Sequence, residues 1–562
     1  AKYTSANESV VRVNELGEVE VAGYGEGAIT AWYLSRIAIA TVTVPYANTL
    51  EPTLFSKARR RNFIDEMTLS KLEELRLPPS PRSSDSEFLR RVFIDTIGTL
   101  PTDADARRFL ESNEPGKRDE LIDSLLEREE FVDYWSYRWS DLLLVSSKNL
   151  PRSAMWSYYR WIREQVRSNV PWDALVRSIV TARGSTLSNG AGNFFMLHDE
   201  PRLMAETTSQ AFLGMSINCA KCHNHPMEKW TNTQYYQMAN LFARVRTKSG
   251  TADGENIIFA APHGELIQPL TGKPQPPAPL DGESLPFESG ADRREHLADW
   301  LVSPENPYFG RAIANRIWAN YMGVGLVESV DDMRATNPAS NEPLLQSLAG
   351  YLAESSYDLK ALMRLILRSE TYQRSSAPLP GNREDGRFFS RYYPRRLMAE
   401  VLLDAFSQVT AVPTTFHVDL RNENRGLGEA YPPGLRALQL PDTKIASYFL
   451  KSFGSAAREQ TCTCERTEDP SVAQALHLAN GDTLNSKLTA SGGLIDQLLE
   501  SGKPPGAFVE TLYLAGLGRM PGSVEKERFT SALQQADPDQ IRLVLEDAFW
   551  AVLTSREFLF NH

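Results

Sequence analysis

The chain has 562 residues, a hydrophobic fraction of 42%, a charged fraction of 23% and a formal net charge of −11. Such a length calls for several domains with interior enough to bury a cofactor, and the acidic balance argues against nucleic acid or an anionic membrane face as the partner. No run of eighteen apolar residues offers a transmembrane segment, and the opening Ala1-Lys-Tyr-Thr-Ser is not a basic and then apolar leader.

Residues 1–47 alternate apolar and polar side chains in short runs: Val10 to Asn14, Val19 to Val21, Ala28 to Tyr33 and Ile39 to Pro45. With Gly17, Gly23, Gly25 and Gly27 read as turns, they predict strands of a β-sandwich. From about residue 50 the texture is helical. Phe88 to Asp95 runs into Gly98 and Pro101, a helix stop followed by a new N-cap. Leu110, Leu121, Leu125 and Leu126 continue at helical spacing, and Trp135, Trp139, Trp156, Trp161 and Trp172 read as core aromatics. An apolar helix through Met204, Thr207, Phe212 and Leu213 then delivers Cys219-Ala-Lys-Cys222-His223-Asn-His225-Pro226, and another follows around Tyr235 to Phe242.

Residues 246–290, with Pro269, Pro274, Pro276, Pro277 and Pro279, predict an extended or lightly β-structured linker. Helical periodicity returns at 311–322, 344–353, 359–367, 397–409 and 541–553. The expected fold is therefore mainly α and multi-domain: a β-sandwich remnant (1–47), a helical domain (48–245), a Pro/Gly-rich linker (246–290) and a mostly helical C-terminal domain (291–562).

Cys-x-x-Cys-His is the attachment signature of c-type haem. Two thiols three positions apart reach both vinyl groups of one porphyrin, and the adjacent imidazole binds iron axially. On that reading Cys219 and Cys222 form thioethers and His223 is the proximal iron ligand. His263, Met238 and His198 are candidate distal ligands, with Met204 a further one and a vacant sixth position the alternative, while His225 is a hydrogen-bonding or propionate neighbour. Two other readings stay open: a redox dithiol or small disulfide at Cys219 and Cys222, and a four-thiolate zinc site completed by Cys462 and Cys464. Those last two cysteines, one residue apart, alternatively form a strained disulfide, a redox partner for a nearby haem, or sit in a simple structural turn. Glu465 and Arg466 are expected to form an ion pair, and Asp331, Asp332, Arg334 and Asn337 are candidates to line a polar cleft or a hard-cation site.

The motifs carry a resemblance. Phe88-Leu-Arg-Arg with Asp95, Gly98 and Pro101, the approach Phe212 to Asn218, and Cys219 to Pro226 with Trp230 resemble the second cytochrome-type domain of large secreted planctomycete proteins. Asn315 to Glu328, Asp331 to Pro338, Tyr393 to Glu400, and Cys462 to Arg466 with Gln474 to Gly481 resemble its companion, a planctomycete-specific C-terminal domain. Residues 1–47 resemble the C-terminal half of a bacterial immunoglobulin-like domain of the second group. Its edge strands are expected to pair with the main body, another chain or a segment outside this sequence. The resemblance implies a haem c protein that transfers single electrons to or from an unknown redox partner protein. It implies a periplasmic, secreted or cell-surface location, so that an export leader is expected to lie outside this sequence. It supplies no reaction that transfers residue by residue. Two further readings accompany it: a structural or adhesive cell-envelope protein whose Cys/His site is a zinc or disulfide staple, and a secreted haem or metal enzyme acting on polysaccharide-like material.

Overall fold

A computed structural model describes residues 1–33, 36–226, 228–421, 426–467 and 469–562. Helices carry most of the regular structure, and the sheets are small. None of the described helices is long and apolar enough to cross a membrane. Two compact units form: Ala1–Pro81 with Trp139–Tyr393 and Arg458–Thr463, and Arg82–Arg138 with Pro394–Ala457 and Cys464–His562. The contiguous boundaries expected from the sequence follow the chain, whereas both units draw on both helical regions. An apolar helix face packs against any complementary face, near or far in sequence.

In the first unit, β1 (Lys2–Ser5), β4 (Gly25–Tyr33) and β5 (Arg36–Val44) make an antiparallel sheet in the order β1-β4-β5, and β2 (Val11–Val13) pairs with β3 (Val19–Val21). The alternation in Val11-Arg12-Val13 sends valines inward, so Val10, Val11 and Ile29 make a small core with Val13, Val42 and Val44. Gly17 is the expected turn, at φ +85°. Gly25 and Gly27 are not turns but the opening residues of β4. A Cβ on Gly27 would stand 2.4 Å from the Val11 side chain, so the close approach of β2 selects glycine there.

Among the described residues, no backbone ladder joins the β1 or β5 edge to another strand. The sheet is instead attached to the helix Phe63–Leu75 by the Lys71–Glu26 ion pair and by Tyr46 N donating to Leu75 O at 2.9 Å. That helix starts where the Asn62 side chain accepts from Ile64 N, buries Leu69, Leu72 and Leu75, and stops at Arg76 in the left-handed region.

The tryptophans Trp139 and Trp172 are core, their rings 5.0 Å apart, and Trp172 meets Phe212 edge-on. This aromatic layer seats the helix Pro201–Leu213. The expected linker is lightly β-structured: Val245–Ser249 pairs with Asn256–Ala260, and Ile267–Gln268 with Lys273–Pro274. It is also pressed onto the helix Asn232–Asn240, with Ala278 N donating to Gln237 O and with Ala278 and Leu280 buried.

The second unit is helical around Ala399–Thr410, whose Phe406 stacks on Phe558 at 5.6 Å. Arg90, on the helix Asp85–Ile97, is buried and donates from its two terminal nitrogens to Gly516 O and Phe558 O, both at 2.6 Å. Arg395 pairs with Asp95, which also accepts from Asn561 Nδ2 at 2.7 Å.

Candidate functional site

The helix Pro201–Leu213 ends at Gly214, whose φ of +63° favours glycine and where a Cβ would meet Met333 Cγ at 2.7 Å. Ile217 and Ala220 are fully buried, which plants the 3₁₀ turn Asn218–Lys221 on the body of the unit. Cys219, Cys222 and His223, between and beyond these plugs, are exposed, and both thiols are free.

The backbone of this loop is held from below. Asn232, at the first turn of the helix Asn232–Asn240 and behind the Thr231/Gln234 capping box, is buried and donates from Nδ2 to Ala220 O at 2.8 Å and Lys221 O at 2.9 Å. Its own Oδ1 accepts from Gln268 Nε2 at 2.7 Å, and its N–H donates to Asn224 Oδ1 at 3.0 Å. His225 N donates to Trp230 O at 2.8 Å, and Trp230 is buried edge-on against Tyr308. Buried Glu228 accepts from Ala335 N at 2.6 Å, and burial pushes its carboxyl above the usual range.

The loop is thus a fixed backbone with its sulfurs and imidazole facing water. Replacing Asn232 with alanine leaves two loop carbonyls without their donor and should cost about 1–3 kcal/mol. We expect a lower denaturation midpoint and faster tryptic cleavage after Lys221; an unchanged cleavage rate would show that Asn232 does not hold the loop.

His223 has a defined tautomer. Its Nδ1 lies 2.7 Å from Asn224 O, and a carbonyl only accepts, so Nδ1 is the donor and Nε2 is the nitrogen left to a metal on an exposed ring. A backbone carbonyl on the far nitrogen is the usual support of a metal-ligating histidine. His225 is half-buried, and burial, then Arg334, then His223 lower its pKa, which favours the neutral ring.

Among the described residues no three His, Cys, Asp or Glu side chains converge as a metal-holding group. A tetrahedral zinc site needs such convergence. Haem c does not, because its thiols bond to carbon and only the imidazole meets iron. Exposed Ile267 and Leu270, on either side of Gln268, add apolar surface to the turn that buttresses Asn232. The donor set therefore fits haem attachment.

Of the candidate distal ligands, Met238 is fully buried in its helix and Met204 is buried too. His198 Nε2 is 2.7 Å from Thr207 Oγ1, and His263 is exposed.

Cys462 and Cys464 are disulfide-bonded, so they do not supply the thiolates that a four-cysteine zinc site requires. Arg466 pairs with fully buried Glu400, with Nη1 to Oε2 at 2.9 Å.

The segment Asp331–Ala335 emerges as a splint that sequence reading did not isolate. Asp331 accepts from Thr463 N at 3.1 Å and Thr463 Oγ1 at 3.0 Å, Met333 N donates to Gly214 O at 2.8 Å, and Ala335 N reaches Glu228. Asp332 pairs with Arg334 at 2.9 Å. The two carboxylates are thus engaged by protein groups rather than arranged for a hard cation. Arg334 and Asn337 line a cleft of about 790 Å³, but it is more apolar than the polar cleft expected, with Ile39, Met67, Val327 and Met333 among its walls beside Thr41 and Lys71.

Residues 63–247 match the family model described as PSCyt2, a protein of unknown function (DUF1549), and residues 293–533 match PSD1, a protein of unknown function (DUF1553). No curated protein and no solved structure matches the chain. The chain thus contains a DUF1549 domain followed by a DUF1553 domain, the planctomycete-type pair that its motifs around Cys219 and Asn315 resemble.

Proposed function

We propose that this chain is an exported c-type haem protein that transfers single electrons, with the haem joined to Cys219 and Cys222 and His223 as its proximal ligand. The observation that carries this reading is the hydrogen bond from His223 Nδ1 to Asn224 O, which leaves Nε2 as the ring nitrogen available to a metal, on an exposed ring next to free Cys222. Haem held there supplies a one-electron couple.

The chain's own residues do the rest. Asn232 and Gln268 fix the loop so that attachment requires no rearrangement of its backbone, and His223 enters ligation in the required tautomer. His225 and Arg334 place polar and cationic groups beside the site, the chemistry that suits propionates. A disulfide elsewhere in the chain agrees with an oxidising compartment, where c-type haem is attached. The partner is a one-electron redox protein, and the location periplasmic or cell-surface.

The test is an absorption spectrum of protein matured in a host that attaches c-type haem, oxidised and then reduced, with a pyridine haemochrome assay. A sharp reduced α-band and haem that survives denaturation are expected. A colourless protein from that host would overturn the reading.

A further inference from the structure

We propose that the edge of β5 is a docking slot for an extended, basic segment of a partner protein, which adds there as a further strand. The proposal is independent of haem and rests on the sheet and the cleft beside it.

The backbone of β5 is turned outward at alternate residues. On the central strand β4, Ala28 O accepts from Ala6 N at 2.8 Å and Glu26 O accepts from Asn7 Nδ2 at 3.3 Å, so both residues aim their peptide groups away from β5. Their partners in the register are Thr41 and Thr43. A residue opposite one that faces away belongs to a pair without ladder hydrogen bonds, so its own N–H and C=O point to the far side. Ile37, Ile39, Thr41 and Thr43 thus present both groups at an edge that no described strand covers, over about 20 Å.

Three of these four residues line the cleft of about 790 Å³, which is built from three elements of the first unit. Ile39, Thr41 and Thr43 come from β5, Met67 and Ser70 from the helix Phe63–Leu75, and the remaining walls chiefly from the stretch 334–343. Asn341 Nδ2 donates to Met67 O at 3.1 Å and ties that stretch to the helix. Helix and stretch crowd the edge, which suits a single added strand rather than the sheet of a second copy.

The walls also select a charge. Lys71 is bound by Glu26 and Glu74, Arg311 by Glu342, and Arg334 by Asp332. Glu66 lines the same cleft, is exposed, and has no cation partner among the described residues. Every positive charge of the walls is matched and one carboxylate is not. The complementary occupant therefore carries a lysine or arginine, with apolar side chains at alternate positions to meet Ile39, Met67 and Val327. Met333 and Ala335, whose N–H groups hold Gly214 and Glu228 on either side of the Cys-x-x-Cys-His loop in sequence, are walls too. A partner held in the slot docks on the segment that supports that loop.

The experiment selects from a bead-bound random heptapeptide library on the purified full chain. The enriched peptides are measured by fluorescence anisotropy and by hydrogen exchange with mass spectrometry. Enriched sequences should alternate apolar and polar residues about a lysine or arginine, and their binding should slow exchange across β5. Thr41→Pro removes an N–H that makes no bond to β4, so the sheet should survive while affinity falls roughly ten-fold. Glu66→Lys changes an exposed side chain and should lower affinity for the basic peptides roughly five-fold with folding unchanged.

A library without an enriched sequence overturns the proposal. So do peptides that bind without protecting β5, or whose affinity Glu66→Lys leaves unchanged, and these two readouts decide even if Thr41→Pro does not fold. Protection of β5 that grows with protein concentration in the absence of peptide would assign the edge to a second copy and overturn the slot.

Discussion

Serine at both Cys219 and Cys222 should leave a folded, colourless protein. Both side chains are exposed, and the loop packs through the plugs Ile217 and Ala220 and the carbonyls held by Asn232, none of which the change touches. The stability cost should stay within about 0.5 kcal/mol, the usual range for surface substitutions. Covalent haem, by contrast, should vanish: no band on a haem-stained denaturing gel and no haemochrome. His223→Gln separates attachment from ligation. It keeps both thiols, so haem should remain bound through denaturation, while loss of the imidazole shifts the visible spectrum. Covalent haem retained in the double serine protein, or a His223→Gln spectrum identical to the parent's, would remove these residues from the site. A large drop in stability of the double serine protein would instead point to a structural role for the thiols, because packing alone predicts none.

Side-chain identity and period were legible in the sequence; the partners of backbone groups were not. The strands at Val11–Val13, Val19–Val21 and Gly25–Tyr33 were readable because alternation is a property of neighbouring residues. Gly27 was misread as a turn because the demand for glycine there comes from Val11, on another strand, and Gly25 because its φ of +114° falls at the start of a strand. In the same way Cys219, Cys222 and His223 stood out by their chemistry, whereas Asn232, Gln268 and Glu228 act on carbonyls and amides that carry no residue signature. The capping box Thr231-x-x-Gln234 could have placed the helix start, and with it a buried asparagine directly under the loop. Nothing local marks Asp331–Ala335 as a splint, since two of its three contacts are made by main-chain N–H groups. Charge pairing in sequence arguments is short-range, so the partner that Arg466 finds on the helix Ala399–Thr410 was not readable.

That partner gives the other large effect. Arg466→Met should destabilise its unit by about 3–5 kcal/mol at neutral pH, the cost of leaving one member of a buried ion pair without the other. Glu400 is fully buried and accepts from Arg466, from Ser455 Oγ at 2.6 Å and from Tyr137 OH at 2.8 Å. Burial by itself raises its pKa; the charge and hydrogen bonds of Arg466, with that of Ser455, outweigh it and hold the carboxyl at about 2. A folded pKa below the unfolded one means that the contribution is fully present above about pH 4.5 and lost as pH falls toward 2, about 3 kcal/mol in all. Asp404, one turn along the same helix, works in the other sense. Burial pushes its carboxyl up to about 7, so its ionisation weakens the fold as pH rises from the ordinary carboxylate range toward 7. The two windows do not coincide, and the variant separates them. Denaturation midpoints measured from pH 2.5 to 8 should show the parent losing stability on the acid side below 4.5, and Arg466→Met lacking that acid loss while keeping the decline toward neutrality. If the difference between parent and variant is constant across that range, Glu400 is not ionised in the folded protein, and the pair holds the turn by hydrogen bonds alone.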